Sequence, residues 1–151
     1  MKKSLSYSLV LLGIISILVL NVPIIHFPMN TPKYLANIDS KPSYIPFKDT
    51  KRYSTIISCG RNCLEVNYQY KNENSHLSIL ITDKTSASSD FIWGESKKIK
   101  NSKFFYEKRK DKQLIAWREA GTEQEFFIKL ESKKKIGKKE LIKVAESLSN
   151  K

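Results

Sequence analysis

Glycine, histidine and cysteine are scarce in this sequence of 151 residues, which contains five Gly, two His and two Cys. So few glycines leave no phosphate-binding glycine loop. Neither His26 nor His76 stands in a motif that supplies a base to a serine nucleophile. The two cysteines lack the further ligands that complete a zinc site. The sequence therefore predicts a protein that is not an enzyme and that binds no cofactor or metal.

Charge is almost absent from the first 30 positions. All 15 acidic residues, and 25 of the 27 Lys and Arg, lie after residue 30. Lys2 and Lys3 precede an uncharged, mostly apolar stretch, Leu9–Phe27, of 19 residues. At about 1.5 Å of rise per residue, such a helix nearly crosses a hydrocarbon core of roughly 30 Å. We therefore predict that residues 1–29 form a signal anchor, that is, a transmembrane segment.

Small residues are also missing where signal peptidase would cut. Between Leu20 and Asn30 there is no Ala, Gly or Ser, and no Cys for a lipobox. An uncleaved anchor is the preferred prediction. Cleavage followed by secretion is the alternative prediction, because the central uncharged segment Leu9–Leu20 also has the length of the hydrophobic region of a signal peptide. Lys2 and Lys3 predict a cytoplasmic N-terminus, which makes this a single-pass protein of the cell membrane with its domain outside.

The pattern changes after the hydrophobic stretch. Residues 30–50 contain several prolines among polar residues and are predicted to be a linker, followed by an extracytoplasmic domain over residues 51–151. In Leu64–Lys71 apolar and polar residues alternate, which is typical of a half-buried strand. Strands are also predicted at Tyr53–Ser58, Leu77–Ile81, Phe104–Lys108, Leu114–Glu119 and Glu125–Leu130.

The C-terminal segment has a helical period instead. Between Leu141 and Leu148 the apolar residues recur at i, i+3, i+4 and i+7, so residues 138–150 are predicted to form a helix. Its apolar stripe is expected to lie on the sheet, with Trp117 in the core beneath it. The predicted fold class is α+β: a transmembrane helix, then a curved antiparallel meander packed against a C-terminal helix.

The two cysteines, Cys59 and Cys63, lie between two predicted strands and enclose Gly60 and Asn62. A close pair outside the cytoplasm favours oxidation. A turn of this kind lets the Cα atoms approach about 5.5 Å, which a disulfide tolerates. We therefore predict a disulfide that pins a hairpin tip, with free or intermolecular thiols as the alternative.

Lysine and arginine are concentrated in residues 97–112 and 129–143, which carry eight and seven basic residues against two acidic residues each. Interleaved aromatics favour nucleic-acid binding, but an exported domain rarely meets nucleic acid, and none is predicted. The predicted partners are the membrane and an anionic lipid, a wall polymer or an envelope protein. A solvated lysine-rich surface is the alternative. The predicted patch comprises Lys97, Lys98, Lys100, Lys103, Lys108, Arg109, Lys110, Lys133, Lys134, Lys135, Lys138 and Lys139.

Two segments, Leu114–Glu123 (LIAWREAGTE) and Lys139–Leu148 (KELIKVAESL), resemble a small Gram-positive envelope domain of unknown function that follows a transmembrane segment. That domain is similar to the half-barrel of periplasmic lipoprotein carriers and MucB-like regulators. The resemblance covers about Tyr53–Leu148 and implies a curved sheet with helices on its concave face. It implies an extracytoplasmic binding or sensing module and transfers no catalytic residue. An accessory envelope protein whose basic face associates with anionic polymers or lipids, without a specific ligand, is the alternative.

Cell fractionation tests the predicted location. We expect the intact chain in the membrane pellet, and we expect protease added to intact cells to degrade its domain, because the uncharged stretch directs membrane insertion. A cytoplasmic protein of comparable size serves as the control for cell integrity. Recovery of the chain in the cytosol, shielded from protease, would contradict this prediction.

Overall fold

The structure is a computed structural model that describes residues 25–36, 38, 40–60, 63–82, 97–119, 122 and 124–149. Most of the predicted anchor, residues 1–29, lies outside the described residues. Among the helices that the described residues form, none has the length and apolar character needed to cross a membrane.

These residues form one antiparallel sheet of seven strands and a C-terminal helix, which confirms the predicted α+β class. The six predicted strands and the C-terminal helix are present, with ends that differ by at most two residues. A short helix and a two-residue edge strand add to the prediction. The elements are α1 (Thr31–Leu35), β1 (Lys51–Gly60), β2 (Cys63–Lys71), β3 (Ser75–Thr82), β4 (Lys97–Lys98), β5 (Phe105–Arg109), β6 (Lys112–Arg118), β7 (Glu125–Ser132) and α2 (Lys138–Ser149).

The strand order, β1-β2-β3-β7-β6-β5-β4, corrects the predicted meander. The chain passes from β3 to the far edge at β4 and returns strand by strand until β7 pairs with β3. The meander prediction assumed that every strand pairs with the next one in sequence. Two central strands with alternating apolar residues instead pair with each other, so Leu77 lies beside Leu130 and Ile79 beside Ile128.

One face of the sheet carries the core. Alternate residues of the paired strands form cross-strand rows on this face, and Trp117 ends one such row beside Phe126. Trp117 is fully buried, stacks on Phe126 with ring centroids 4.6 Å apart, and meets the edge of Phe104 at 5.2 Å. The apolar stripe Leu141–Leu148 of α2 belongs to the same buried cluster. The expected position of Trp117 in the core is confirmed.

The described residues of segment 30–50, predicted to be a linker, contact the folded domain. Ala36 and Ile38 are buried in the core, and the hydroxyl of Tyr68 donates to the Ile38 carbonyl at 3.2 Å. Tyr44 donates a hydrogen bond to Glu140 of α2. The single C-terminal helix contacts β6 and β7, so this segment covers part of the sheet that α2 leaves open. The apolar residues scattered among its prolines provide the contacts.

Shortening the central aromatic side chain tests the core. We expect Trp117→Phe to lower the free energy of unfolding by about 1–3 kcal/mol, because the smaller ring leaves a cavity against Phe126 and Phe104. Urea denaturation followed by circular dichroism measures the change. The control is Tyr34→Ala, since Tyr34 is 80% exposed and its loss should cost less than about 0.5 kcal/mol. Equal stability of the two variants would contradict the assignment.

Candidate functional site

The two ends of the sheet differ in chemistry. At one end, which we call the disulfide end, Cys59 and Cys63 form the predicted disulfide across the β1–β2 hairpin, with Cα atoms 5.1 Å apart. At the other end, which we call the basic end, three chain segments meet. These are the β2–β3 turn at Asn72–Asn74, the β5–β6 turn at Lys110–Asp111 and the segment that follows β7.

A groove of about 200 Å³ opens at the basic end, between the β5–β6 turn and the segment after β7. Five lysines from the two runs identified in the sequence line it, although they are far apart along the chain. We call it the basic groove. Its lining residues are Lys108, Lys110, Asp111, Gln113, Ser132, Lys133, Lys134, Lys135 and Ile136.

Backbone hydrogen bonds hold the second lysine run against both turns. The amide of Lys133 donates to the carbonyl of Asn74 at 2.9 Å, and the amide of Ser132 donates to that of Asp111 at 3.4 Å. The Ser132 hydroxyl accepts a hydrogen bond from the amide of Lys134 at 3.1 Å. The backbone of this lysine-rich segment is therefore fixed beside the β5–β6 turn.

The side-chain amide of Gln113 also attaches the segment after β7 to β6. Its nitrogen donates to the Ile136 carbonyl at 2.7 Å, and its oxygen accepts the Tyr106 hydroxyl at 3.0 Å. Tyr106 in turn lies under the ammonium of Lys138, which is 4.7 Å from the ring centroid. Burial raises the pKa of Tyr106, so its hydroxyl stays a donor at neutral pH. Through Gln113 the groove is thus linked to Tyr106 and Lys138, which do not line it themselves.

The charge of the groove is poorly compensated. Asp111 is the one acidic residue among those that line it. Within the described part of the chain, none of its five lysines has a carboxylate partner within ion-pair distance. Exposed ammonium groups clustered in this way attract polyanions, and the attraction is screened by salt.

The structure divides the predicted basic patch. Lys103 forms an ion pair with Glu119 at 2.6 Å, and Arg109 forms one with Glu107, so both have local carboxylate partners. Five members line the basic groove: Lys108, Lys110, Lys133, Lys134 and Lys135. The remaining members are exposed and do not line the groove: Lys97, Lys98, Lys100, Lys138 and Lys139.

Sequence reasoning missed two features of this site. It assigned no role to Gln113, because a single glutamine in a strand carries no motif. It also did not foresee that Lys110 has a positive φ of 43°, a conformation that favours glycine or asparagine. The two-residue turn between β5 and β6 was the available signal, since such turns require unusual φ values.

The acidic residues at the end of β6 and the start of β7 are engaged in structural contacts. Glu119 accepts from Lys103 and from the indole nitrogen of Trp117, and buried Glu125 pairs with Arg118 at 2.6 Å. Within the described ranges, no three His, Cys, Asp or Glu side chains converge as metal ligands would.

His76 lies in β3 at the basic end, hydrogen-bonded to Gln69. Burial lowers the pKa of His76 and nearby Lys71 lowers it further, while Glu131 opposes the shift. The imidazole is therefore neutral at pH 7 and adds no charge to the basic end.

The face of the sheet opposite the core carries a second, apolar cleft. It has a volume of about 300 Å³ and is lined by Asn67, Ser78, Leu80, Leu114, Phe127 and Lys129. Lys129 and Lys112 both pair with Glu131, at 3.0 and 3.2 Å, and these contacts lower the pKa of the Glu131 carboxyl. These two lysines on this face thus share one carboxylate partner.

Comparisons of the chain with protein-family models, with curated proteins and with solved structures give no match. The resemblance of Leu114–Glu123 and Lys139–Leu148 to a half-barrel domain therefore stays a prediction. The chemistry of the basic groove is what bears on function.

Lys110→Gly tests whether this lysine is retained at the expense of stability. We expect the free energy of unfolding to rise by about 0.5–1 kcal/mol, because glycine relieves the left-handed conformation. Urea denaturation measures it. The matched control is Asn101→Gly, where φ is 59°; asparagine already tolerates this region, so the gain should be smaller. A loss of stability in Lys110→Gly would refute the strain.

Proposed function

We propose that this protein is a membrane-anchored binding module of the bacterial envelope, and that its basic groove binds an anionic polymer outside the cytoplasm. The observation that carries the proposal is the convergence of two lysine runs on one groove, around Lys110 and Lys134, with Asp111 as the single lining acid. Sheet topology brings these positions together, but packing of the core does not require lysine at any of them, because their side chains lie on the exposed surface.

A polymer fits the groove better than a small ligand. An exposed ion pair contributes only about 0–1 kcal/mol, so useful affinity requires several contacts at once. Ammonium groups act as hydrated point charges and accept phosphate or carboxylate without fixed geometry. A chain of repeated anions supplies many such contacts and gains further from the release of its counterions. Wall polymers with repeated phosphate or carboxylate groups have this chemistry.

Two observations support a location outside the cytoplasm. The uncharged stretch Leu9–Phe27 has the composition of an anchor. The disulfide between Cys59 and Cys63 suits an oxidising compartment.

The packing under the helix favours surface binding over the enclosure of a ligand. Carriers with a half-barrel fold hold an apolar ligand between sheet and helices. Here Trp117, Phe126 and Val144 are buried together in that position. An antiparallel sheet with one helix on its core face is compatible with a half-barrel, and the resemblance adds a binding or sensing role to the proposal.

A second candidate function is the docking of an envelope protein on the opposite face. The cleft favours it because Leu80, Leu114 and Phe127 present apolar side chains beside polar ones, and protein interfaces combine apolar and polar groups. The two candidates use different faces of the sheet.

Neutralising two groove lysines tests the first candidate. We expect Lys133→Gln with Lys135→Gln to weaken the binding of inorganic polyphosphate by about 5–20-fold, since two favourable charge contacts are lost. The slope of log affinity against log salt should fall by about two, one released counterion per lysine. Fluorescence anisotropy of labelled polyphosphate at several salt concentrations measures both quantities.

The control removes the same charge elsewhere. Lys98→Gln with Lys100→Gln lies outside the groove and should change the affinity less than about twofold. Phe127→Ser, on the opposite face, should leave polymer binding unchanged. Equal effects of the two double lysine variants, or binding indifferent to salt, would refute the groove as the site. Loss of polyphosphate binding in Phe127→Ser alone would likewise refute the groove as the site.

A further inference from the structure

The end of the uncharged N-terminal stretch is fixed against the edge strand β1. Phe27 and Ser54 exchange two backbone hydrogen bonds, with N···O distances of 2.8 and 2.9 Å. The buried hydroxyl of Ser54 also donates to the carbonyl of Pro28 at 3.1 Å. Ser4–Ile25 contains no charged residue and is long enough for a hydrocarbon core. The position at which the chain leaves this stretch therefore lies beside β1.

A basic and aromatic cleft of about 650 Å³ opens at this position. The ring of His26 stacks on Tyr53 with centroids 3.8 Å apart, and the ammonium of Lys71 lies 5.4 Å from the Tyr53 centroid. Arg52 lies beside them and pairs with Asp49 at 3.1 Å. We call this the anchor-side cluster; it comprises His26, Thr50, Lys51, Arg52, Tyr53 and Lys71.

Two lysines of the cluster face each other directly. Lys51 is the cross-strand partner of Lys71 at the start of the β1–β2 ladder. Like charges opposite each other in a sheet are destabilising. An anion between the two ammonium groups would relieve the repulsion. The cluster has three permanent cations, Lys51, Arg52 and Lys71, with Asp49 as the carboxylate paired to one of them.

We propose that the anchor-side cluster binds the head groups of anionic lipids and so holds the β1 edge of the sheet against the membrane. Lysines close to an anionic leaflet are attracted to it, and amphipathic rings such as Tyr53 prefer the interface between lipid and water. The cluster also lies where the uncharged stretch ends, which is where head groups begin. This inference rests on the membrane anchor of the proposed function.

The basic groove lies away from this contact. β1 is at one edge of the sheet, and β5, which carries Lys108, is five strands away in the strand order. At about 4.8 Å per strand, Lys108 lies roughly 24 Å from β1, whereas Ser132 of β7, which also lines the groove, lies roughly 14 Å from it. A β1 edge held at the membrane leaves the basic groove accessible to a polymer in the surrounding wall.

The test uses the full chain reconstituted in vesicles of phosphatidylcholine alone and of an equimolar mixture with phosphatidylglycerol. Amine acetylation is followed residue by residue with mass spectrometry. We expect Lys51 and Lys71 to react about three- to tenfold more slowly in the anionic vesicles, and we expect the difference to vanish at high salt. Lys100, exposed in the turn after β4, is the internal reference and should react equally in both. Equal rates for Lys51 and Lys71 in the two vesicle types would overturn the inference.

Hydrogen exchange along β1 provides a second readout that does not depend on lysine chemistry. We expect slower exchange over Lys51–Ile57 in the anionic vesicles. Lys51→Gln with Lys71→Gln should abolish this difference, and Lys98→Gln with Lys100→Gln, which removes equal charge, should preserve it. A difference that survives the first pair would overturn the inference.

Polyphosphate binding in the same preparation separates the two proposals. Normal polymer binding together with equal acetylation of Lys51 and Lys71 in the two vesicle types would refute the lipid contact alone. A chain that alkaline carbonate extracts from the vesicles would refute the anchor, and the lipid contact with it.

Discussion

The pairing of β3 with β7 is the constraint on which the rest of the structure depends. It joins two antiparallel units, β1–β3 and β4–β7, into one sheet, and it places Ile81 beside Phe126 in the core. Its partners are about fifty residues apart along the chain, so the loop-closure entropy is substantial and apolar burial must offset it. The same pairing sets Ser132 next to Ser75. Lys133, which follows Ser132, therefore lies at the basic end of the sheet.

Convergence of the lysines follows from this register rather than from any property of the lysines. Once Ser132 lies beside the β2–β3 turn, Lys133 can bond to Asn74, and Gln113 can reach Ile136 from the neighbouring strand. The β5–β6 turn lies at the same basic end of the sheet because β6 pairs with β7. The groove is thus a consequence of sheet topology, and the side chains that line it are exposed.

The local sequence pattern was sufficient to predict individual strands and the C-terminal helix. The alternation in Leu64–Lys71 and the stripe Leu141–Leu148 identified a strand and a helix, because burial imposes a period on each element. The same periods do not name a strand's partner, so the order of the sheet was missed. The sequence also contains two separate basic runs, and only the structure shows that one groove takes lysines from both. Composition concealed the packing of residues 30–50, since prolines and polar residues outnumber the apolar ones there.

A lysine-rich composition alone does not account for the arrangement of charge. At the disulfide end Lys103 and Arg118 each have a carboxylate partner, whereas the lysines of the basic groove share only Asp111. Exposed like charges that come within about 4 Å of each other repel by about 1 kcal/mol in water. The left-handed conformation of Lys110 is a further cost, of which glycine would relieve about 0.5–1 kcal/mol. An acidic residue in place of one groove lysine, or glycine at Lys110, would relieve these costs without disturbing the core. A surface that served only for solubility would have no reason to concentrate them at one place, whereas a site for polyanions requires it.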